Sequence, residues 1–223
     1  MYNFDISIEN TYDESFRIAQ LKSFYEYKEK NVKEHFAGSI VTPQQWTYGL
    51  IYGNSGTGKS TIAKKLGVNY IVSDDYTGKP VIDEFPSNYS LKEIAKMFTL
   101  VGFSSVPCWL KPYHVLSNGE KMRVDLAKAL LLYDEFIFDE FTSVVDREAA
   151  QMMCKALNLI KDKLNKKIIF VTCHGDVKEY LNCDWVFCTD TMKNENPIEP
   201  KKKLFTLTDA NMMTGQNSNV III

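Results

Sequence analysis

The tightest constraint on how this chain folds is the run Gly53-Asn54-Ser55-Gly56-Thr57-Gly58-Lys59-Ser60-Thr61, which directly follows the apolar stretch Tyr48 to Tyr52. It matches G-x-x-x-x-G-K-[ST], a phosphate-binding loop in the strand-to-helix setting that the motif requires. The glycines let the backbone wrap closely, so that successive N–H groups face phosphate oxygens. Lys59 adds a point charge for the β- and γ-phosphates, and the Ser60 hydroxyl can ligate Mg²⁺. The helix that begins here turns its positive end toward the anion. Nucleotide binding is the reading that follows.

Strands and helices alternate around this loop. Trp46 to Tyr52 is the strand that feeds it, and Thr61 to Leu66 begins a short helix stopped by Gly67. Tyr70-Ile71-Val72 reads as a short strand and Asp74 to Pro86 as loop or edge structure. From Leu91 to Val101 the apolar residues recur at helical spacing, with Ser90 as N-cap, Glu93 at N3 and Gly102 just beyond. Met122, Leu126, Ala129 and Leu130 line one face of a second helix after Gly119. A buried strand at Phe136–Phe138, a helix over about 146–164 and strands at Lys167–Thr172 and Trp185–Thr189 complete the pattern. Such alternation implies an α/β fold with a mainly parallel sheet and right-handed crossovers. Residues 1–45 read as several short strands, an N-terminal β part, and 191–223 as a polar, loop-like tail. Without a repeat, a low-complexity tract or a Pro/Gly-rich linker, residues 1–223 are expected to form one domain.

Composition excludes several classes. With 45% hydrophobic and 24% charged residues the chain has the profile of a soluble globular protein. No apolar run approaches the roughly 20 residues that a membrane-spanning helix needs. Met1-Tyr2-Asn3-Phe4-Asp5 lacks the basic-then-apolar order of a secretory signal, so a cytoplasmic location is expected. The five cysteines contain no C-x-x-C and read as reduced core thiols, and the three histidines are too scattered for a zinc site. A formal charge of −2 offers nucleic acid no general attraction. The lysine clusters at Lys161/Lys163/Lys166/Lys167 and Lys201–Lys203 read as solvated faces.

Four further elements follow the phosphate loop in fixed order: Leu116-Ser117-Asn118-Gly119-Glu120 before a helix, Phe136-Ile137-Phe138-Asp139-Glu140, Thr142-Ser143-Val144-Val145-Asp146, and a strand ending in Cys173-His174. In order and spacing they resemble the ATP-binding cassette (ABC) ATPases, with a signature of LSGGQ type, a second Walker motif, a D-loop and a switch histidine. That likeness spans residues 53–174. It implies a P-loop NTPase fold of ABC type, and Mg²⁺-dependent ATP hydrolysis. Gly53 to Thr61 would bind the nucleotide. Ser60 and Asp139 would hold Mg²⁺, and Glu140 would act as general base, assisted catalytically by Lys59 and by His174 at the γ-phosphate. Ser117, Asn118, Gly119 and Glu120 would complete the nucleotide site of an opposite subunit, so that ATP is sandwiched in a head-to-tail homodimer. Tyr25 or Tyr27 would stack on adenine.

Departures from the family pattern matter as much. Asn118 stands for the first of the two signature glycines, Glu120 for glutamine (as in SMC-type ATPases), and Phe141 for the usual proline. Only 57 positions separate Lys59 from Leu116, and no glutamine occurs between Gln45 and Gln151. The helical insertion is therefore expected to be shortened to a region within 87–120, with Asp74, Asp75 or Asp83 as substitutes for the Q-loop glutamine. Val101 to Pro112 resembles a group of soluble ABC-type ATPases associated with a predicted acetyltransferase domain, which here would be a separately encoded partner. The leading expectation is a soluble ATPase acting on a protein or nucleic-acid partner. The alternatives are a membrane transporter's ATP-binding subunit, an SMC-like DNA-maintenance head and a nucleotide-gated module with negligible turnover.

Overall fold

Alternation of side chains between two buried faces along the central strands decides the layering of this molecule, seen in a computed structural model that describes residues 1–28, 31–71 and 76–199. The chain opens with strand β1 (Tyr2–Thr11), helix α1 (Phe16–Phe24) and strand β2 (Asn31–Ile40). β1 and β2 pair antiparallel along their whole length, from Tyr2↔Ile40 to Thr11↔Asn31. Then come β3 (Tyr48–Tyr52), α2 (Lys59–Lys64), β4 (Asn69–Ile71), α3 (Leu91–Leu100) and the single turn α4 (Val106–Trp109). The remainder is α5 (Asn118–Leu132), β5 (Glu135–Phe138), α6 (Arg147–Ile160), β6 (Lys167–Thr172), β7 (Trp185–Cys188) and β8 (Lys193–Glu195).

Six of these strands form one sheet in the order β4-β5-β6-β3-β7-β8. The first five in that order run parallel, and β8 closes the edge antiparallel to β7. Successive residues of a strand point to opposite faces. Tyr48, Leu50, Phe136, Phe138, Ile168 and Phe170 accordingly face one core, with Leu126 and Leu130 of α5 and Leu157 of α6. Ile51, Ile137, Ile169, Val171 and Phe187 face the other, against Phe4, Ile6, Phe36 and Ile40 of the N-terminal strands and Ile62, Ala63 and Leu66 around α2. The fold is thus a mainly parallel sheet flanked by helices, with an N-terminal antiparallel part laid over one face.

Three local expectations change. Residues 1–45 hold two ten-residue strands rather than several short ones, and the stretch before Tyr25 is helical. Ser15 caps that helix by accepting the Ile18 N–H at 3.3 Å, a local bond that favours a helix start there. The tail contributes β8, because the turn after Cys188 returns Lys193–Glu195 alongside β7. The helix expected to about residue 164 ends at Ile160 and continues as a 3₁₀ turn over Lys161–Lys163. Val72, Asp74, Asp75 and the tail from residue 200 lie outside the described residues. All five cysteines are free thiols.

Between β3 and β7 the packing leaves no room for a side chain at Gly49, where a Cβ would stand 2.0 Å from the Trp185 ring. Trp185 is itself held edge-on by Trp46, with ring centroids 5.5 Å apart. Gly49→Ala should lower the unfolding free energy by about 1–3 kcal/mol in a denaturant titration, as overpacking does. A midpoint equal to that of the wild type would show that the tryptophan pair can yield.

Candidate nucleotide site

β5, β6 and β3 are neighbours and parallel, so their C-terminal ends reach the same edge of the sheet. Open parallel sheets bind ligands beyond that edge. The loops leaving it are the glycine-rich run after Tyr52, the carboxylate pair after Phe138 and the histidine after Thr172.

The glycine-rich loop is shaped by backbone that side chains disfavour. Gly58 caps α2 at φ 83°, and a Cβ there would stand 2.6 Å from the Phe36 ring. Both conformation and contact demand glycine at this position. Lys59 is buried, and its Nζ donates to the Asn54 carbonyl at 2.6 Å, spanning the loop. Ser55 and Gly56 form the exposed crest, and Ser60 and Thr61 sit half-buried at the start of α2. The turn between β7 and β8 braces the loop from outside. Asp190 accepts the Asn54 N–H at 3.0 and 3.2 Å, and Thr189 bonds the Thr57 hydroxyl at 2.6 Å. Sequence reasoning missed Thr189 and Asp190, since nothing in the chain signals a contact across more than 130 positions.

At the end of β5, Asp139 uses both carboxylate oxygens. Oδ1 accepts the Glu140 N–H at 2.8 Å, and Oδ2 accepts the hydroxyl of Tyr70 from β4. Burial raises the Tyr70 phenol well above its ordinary value, the Asp139 carboxylate adds to this, and a hydrogen bond from Ser60 opposes it. Ser60 and Asp139 therefore both lie beside the Tyr70 phenol. Two oxygen donors beside a phosphate loop fit a hard divalent cation such as Mg²⁺.

The next three residues form an unusual turn. Glu140 and Thr142 adopt φ values of 54° and 68°, a left-handed region that non-glycine residues seldom enter. Phe141 between them is fully buried, 4.5 Å from the Phe170 ring centroid, and donates its N–H to the Val171 carbonyl at 2.8 Å. A proline at this position would have no N–H to give. The anchored phenylalanine leaves the Glu140 side chain exposed at the strand end. His174 Nδ1 lies 3.3 Å from the Thr142 hydroxyl, and its own N–H donates to Thr172 Oγ1 at 3.1 Å. The turn after β5 and the histidine after β6 are thereby joined.

The signature stretch lies at the start of α5. Ser117 caps the helix, accepting the Glu120 N–H at 3.3 Å, and Glu120 Oε2 accepts the Ser117 N–H at 2.8 Å and its hydroxyl at 2.9 Å. Gly119 permits a close approach, since a Cβ there would be 3.2 Å from Val145 Cγ1. A cavity of about 230 Å³ joins Asn118 and Lys121 to Asp139 and Glu140 within the same chain. Behind it, Asp125 accepts hydrogen bonds from Tyr76 at 2.6 Å and Tyr113 at 2.7 Å, whose rings stack at 3.7 Å. Tyr25 and Tyr27 follow α1 and are both exposed, and the aromatic that the N-terminal strands bring against the loop is Phe36. Asp83 is exposed in a 3₁₀ turn.

No protein-family model matches the chain. The energy-coupling factor transporter ATP-binding protein EcfA1 of Leuconostoc mesenteroides is 25% identical, with 73% of each chain covered. Its namesake from Staphylococcus aureus strain USA300 is 28% identical over 64% of this chain and 66% of that protein. The dimeric structure of MJ0796, a bacterial ABC transporter cassette, superposes with a TM-score of 0.52 at 15% identity, covering 74% of this chain and 89% of the other. A post-hydrolysis dimer of the same cassette, bound to ADP and Pi, superposes at 0.53 with 13% identity, covering 81% and 91%. The chain thus shares the fold of the ABC cassettes.

In this chain the edge at the start of α5 already carries a carboxylate of its own. Hydrogen bonding from the Ser117 backbone holds Glu120 below the usual carboxylate value, against burial, with the Ser117 hydroxyl, Cys108 and Lys111 acting in the same direction. A depressed folded-state value means that the ionised group stabilises the fold above its unfolded pKa, and that this contribution is lost as pH falls through the folded value. Glu120→Ala should therefore lower the melting temperature at neutral pH, with the gap closing below about pH 4. A gap that stays constant with pH would assign the effect to packing instead.

Proposed function

We propose that this chain is an ABC-type ATPase that binds Mg·ATP on residues 53–61 and hydrolyses it at the C-terminal edge of the sheet, within a head-to-tail dimer. The observation that carries this reading is the adjacency of β3, β5 and β6, which delivers the phosphate loop, the Asp139–Glu140 pair and His174 to one edge. Lys59 leaves the Asn54 carbonyl to meet the β- and γ-phosphates, and the N-terminus of α2 adds its positive end. Ser60 and Asp139 hold the cation. A bound Mg²⁺ supplies neutralisation of the charge on the β- and γ-oxygens. Glu140, exposed at the turn, accepts the proton of the attacking water. His174, positioned by Thr142, orients that water. Ser117, Asn118 and Gly119 of a second copy close over the γ-phosphate, and Glu120 must yield to it there. Tyr25 or Tyr27 stacks on adenine from the stretch after α1.

Two observations bear on the target. The shortened region between α3 and α5 and the missing glutamine support an ATPase that drives a separate partner outside a transport complex. Exposed Leu91, Val106, Leu110 and Val115 in that region suit a protein partner better than the phosphates of a nucleic acid. The transporter names of the sequence relatives support the second reading, an ATP-binding subunit docked on a membrane protein. No helix among the described residues is long and apolar enough to cross a membrane, so in that reading the membrane part is another chain. Either reading places the chain in the cytoplasm.

Glu140→Gln should keep ATP binding, lose roughly 10²–10⁴-fold in turnover as removal of a general base does, and accumulate a dimer in light scattering only with Mg·ATP. Normal turnover in this variant would rule out Glu140 as the base. A monomer that still binds ATP would mean that the altered signature does not close over a second nucleotide. For Lys59→Ala the expected result is loss of ATP affinity in equilibrium binding, and retained affinity would overturn the phosphate-loop assignment.

A further inference from the structure

Tyr70 stands on Asp139, one of the two residues that would hold the cation. It lies on β4, opposite Ile137 of β5, so its side chain stands beside the end of the strand that carries Asp139. The ring is fixed by packing against the core beneath the N-terminal strands and by Lys64, whose Nζ sits 4.8 Å from its centroid. The hydroxyl is thereby delivered to Asp139 Oδ2, and Ser60 acts on the same phenol. Asp139 Oδ1 is already engaged by the Glu140 N–H at 2.8 Å. Oδ2 is therefore the oxygen that must serve a cation or its water, and the phenol stands on it.

Resting on the Mg·ATP reading above, we infer that Tyr70 is a positioning residue that holds Asp139 in place before the cation binds, and whose hydroxyl must give way on Asp139 when it does. The latch keeps the Asp139 carboxylate in place until the cation arrives. It also sets a threshold, because the cation's hydration shell competes with a hydrogen bond that is already made. Cation binding is then coupled to arrival of the phosphates, which contribute the remaining ligands.

Tyr70→Phe keeps the ring, its packing and the Lys64 contact, and removes only the oxygen. The test is a titration of full-length protein with Mg²⁺ in the presence of a fluorescent ATP analogue, read by anisotropy. The Mg²⁺ concentration giving half-maximal tightening should fall roughly three- to tenfold in the variant, the worth of about one hydrogen bond. Binding of Mn²⁺ followed by its electron paramagnetic resonance signal should shift in the same direction. An unchanged or higher midpoint in both measurements would overturn the latch, since a merely structural tyrosine would not move it downward. A wild-type protein whose affinity for the analogue ignores Mg²⁺ altogether would instead remove the Mg·ATP reading, and the latch with it.

Discussion

Burial of β3 on both faces is the constraint on which the other elements depend. All five of its residues are buried, and its two neighbours, β6 and β7, are parallel to it. A strand hidden on both sides needs a layer on each, and here the helices α3, α5 and α6 supply one while β1, β2 and α2 supply the other. The loop that follows is thereby held against a rigid frame, with Phe36 pressing on Gly58 and the Thr189–Asp190 turn holding its outer limb. Asp184 secures the other end of the strand by accepting the Thr47 and Tyr48 N–H groups at 2.8 and 2.9 Å while paired with Lys161. Loops that position reacting groups gain from such a scaffold, because a small displacement weakens electrostatic stabilisation steeply.

The turn after β5 shows how strain is retained at a site. Two non-glycine residues at positive φ cost free energy of order 1–3 kcal/mol each. Phe141, sealed between Phe138 and Phe170 and bonded to Val171, keeps the turn from relaxing. The substitution that looked in the sequence like a departure from the family pattern is thus an anchor. It fixes the exposed glutamate on one side and, through Thr142, the histidine on the other.

The signature region has the opposite character. Its serine and glutamate satisfy one another in a capping box, the same arrangement that Ser90 and Glu93 make at α3. A capping box is stable in an isolated chain and needs no nucleotide. For the helix end to receive a phosphate from a second copy, the carboxylate has to move aside, which makes dimer closure a competition between two anions for one set of N–H groups. In the proposed dimer, glutamate at this position would couple closure to the loss of an internal bond.

Local information was sufficient for much of this. The phosphate loop, the capping boxes of α3 and α5 and the strands β3, β5, β6 and β7 depend on residue type and spacing over a few positions, and the sequence by itself determined them. So did the order of the chemical groups, since Asp139, Glu140 and His174 each end an apolar run. What only the tertiary structure decided is where separate segments meet: Tyr70 on Asp139, Phe36 on Gly58, Thr189 and Asp190 on the loop, Thr142 on His174. These contacts come from strand order, and strand order follows from how whole layers share buried surface. Chain spacing carries no record of that, because the free energy of layer packing is a sum over residues far apart in sequence.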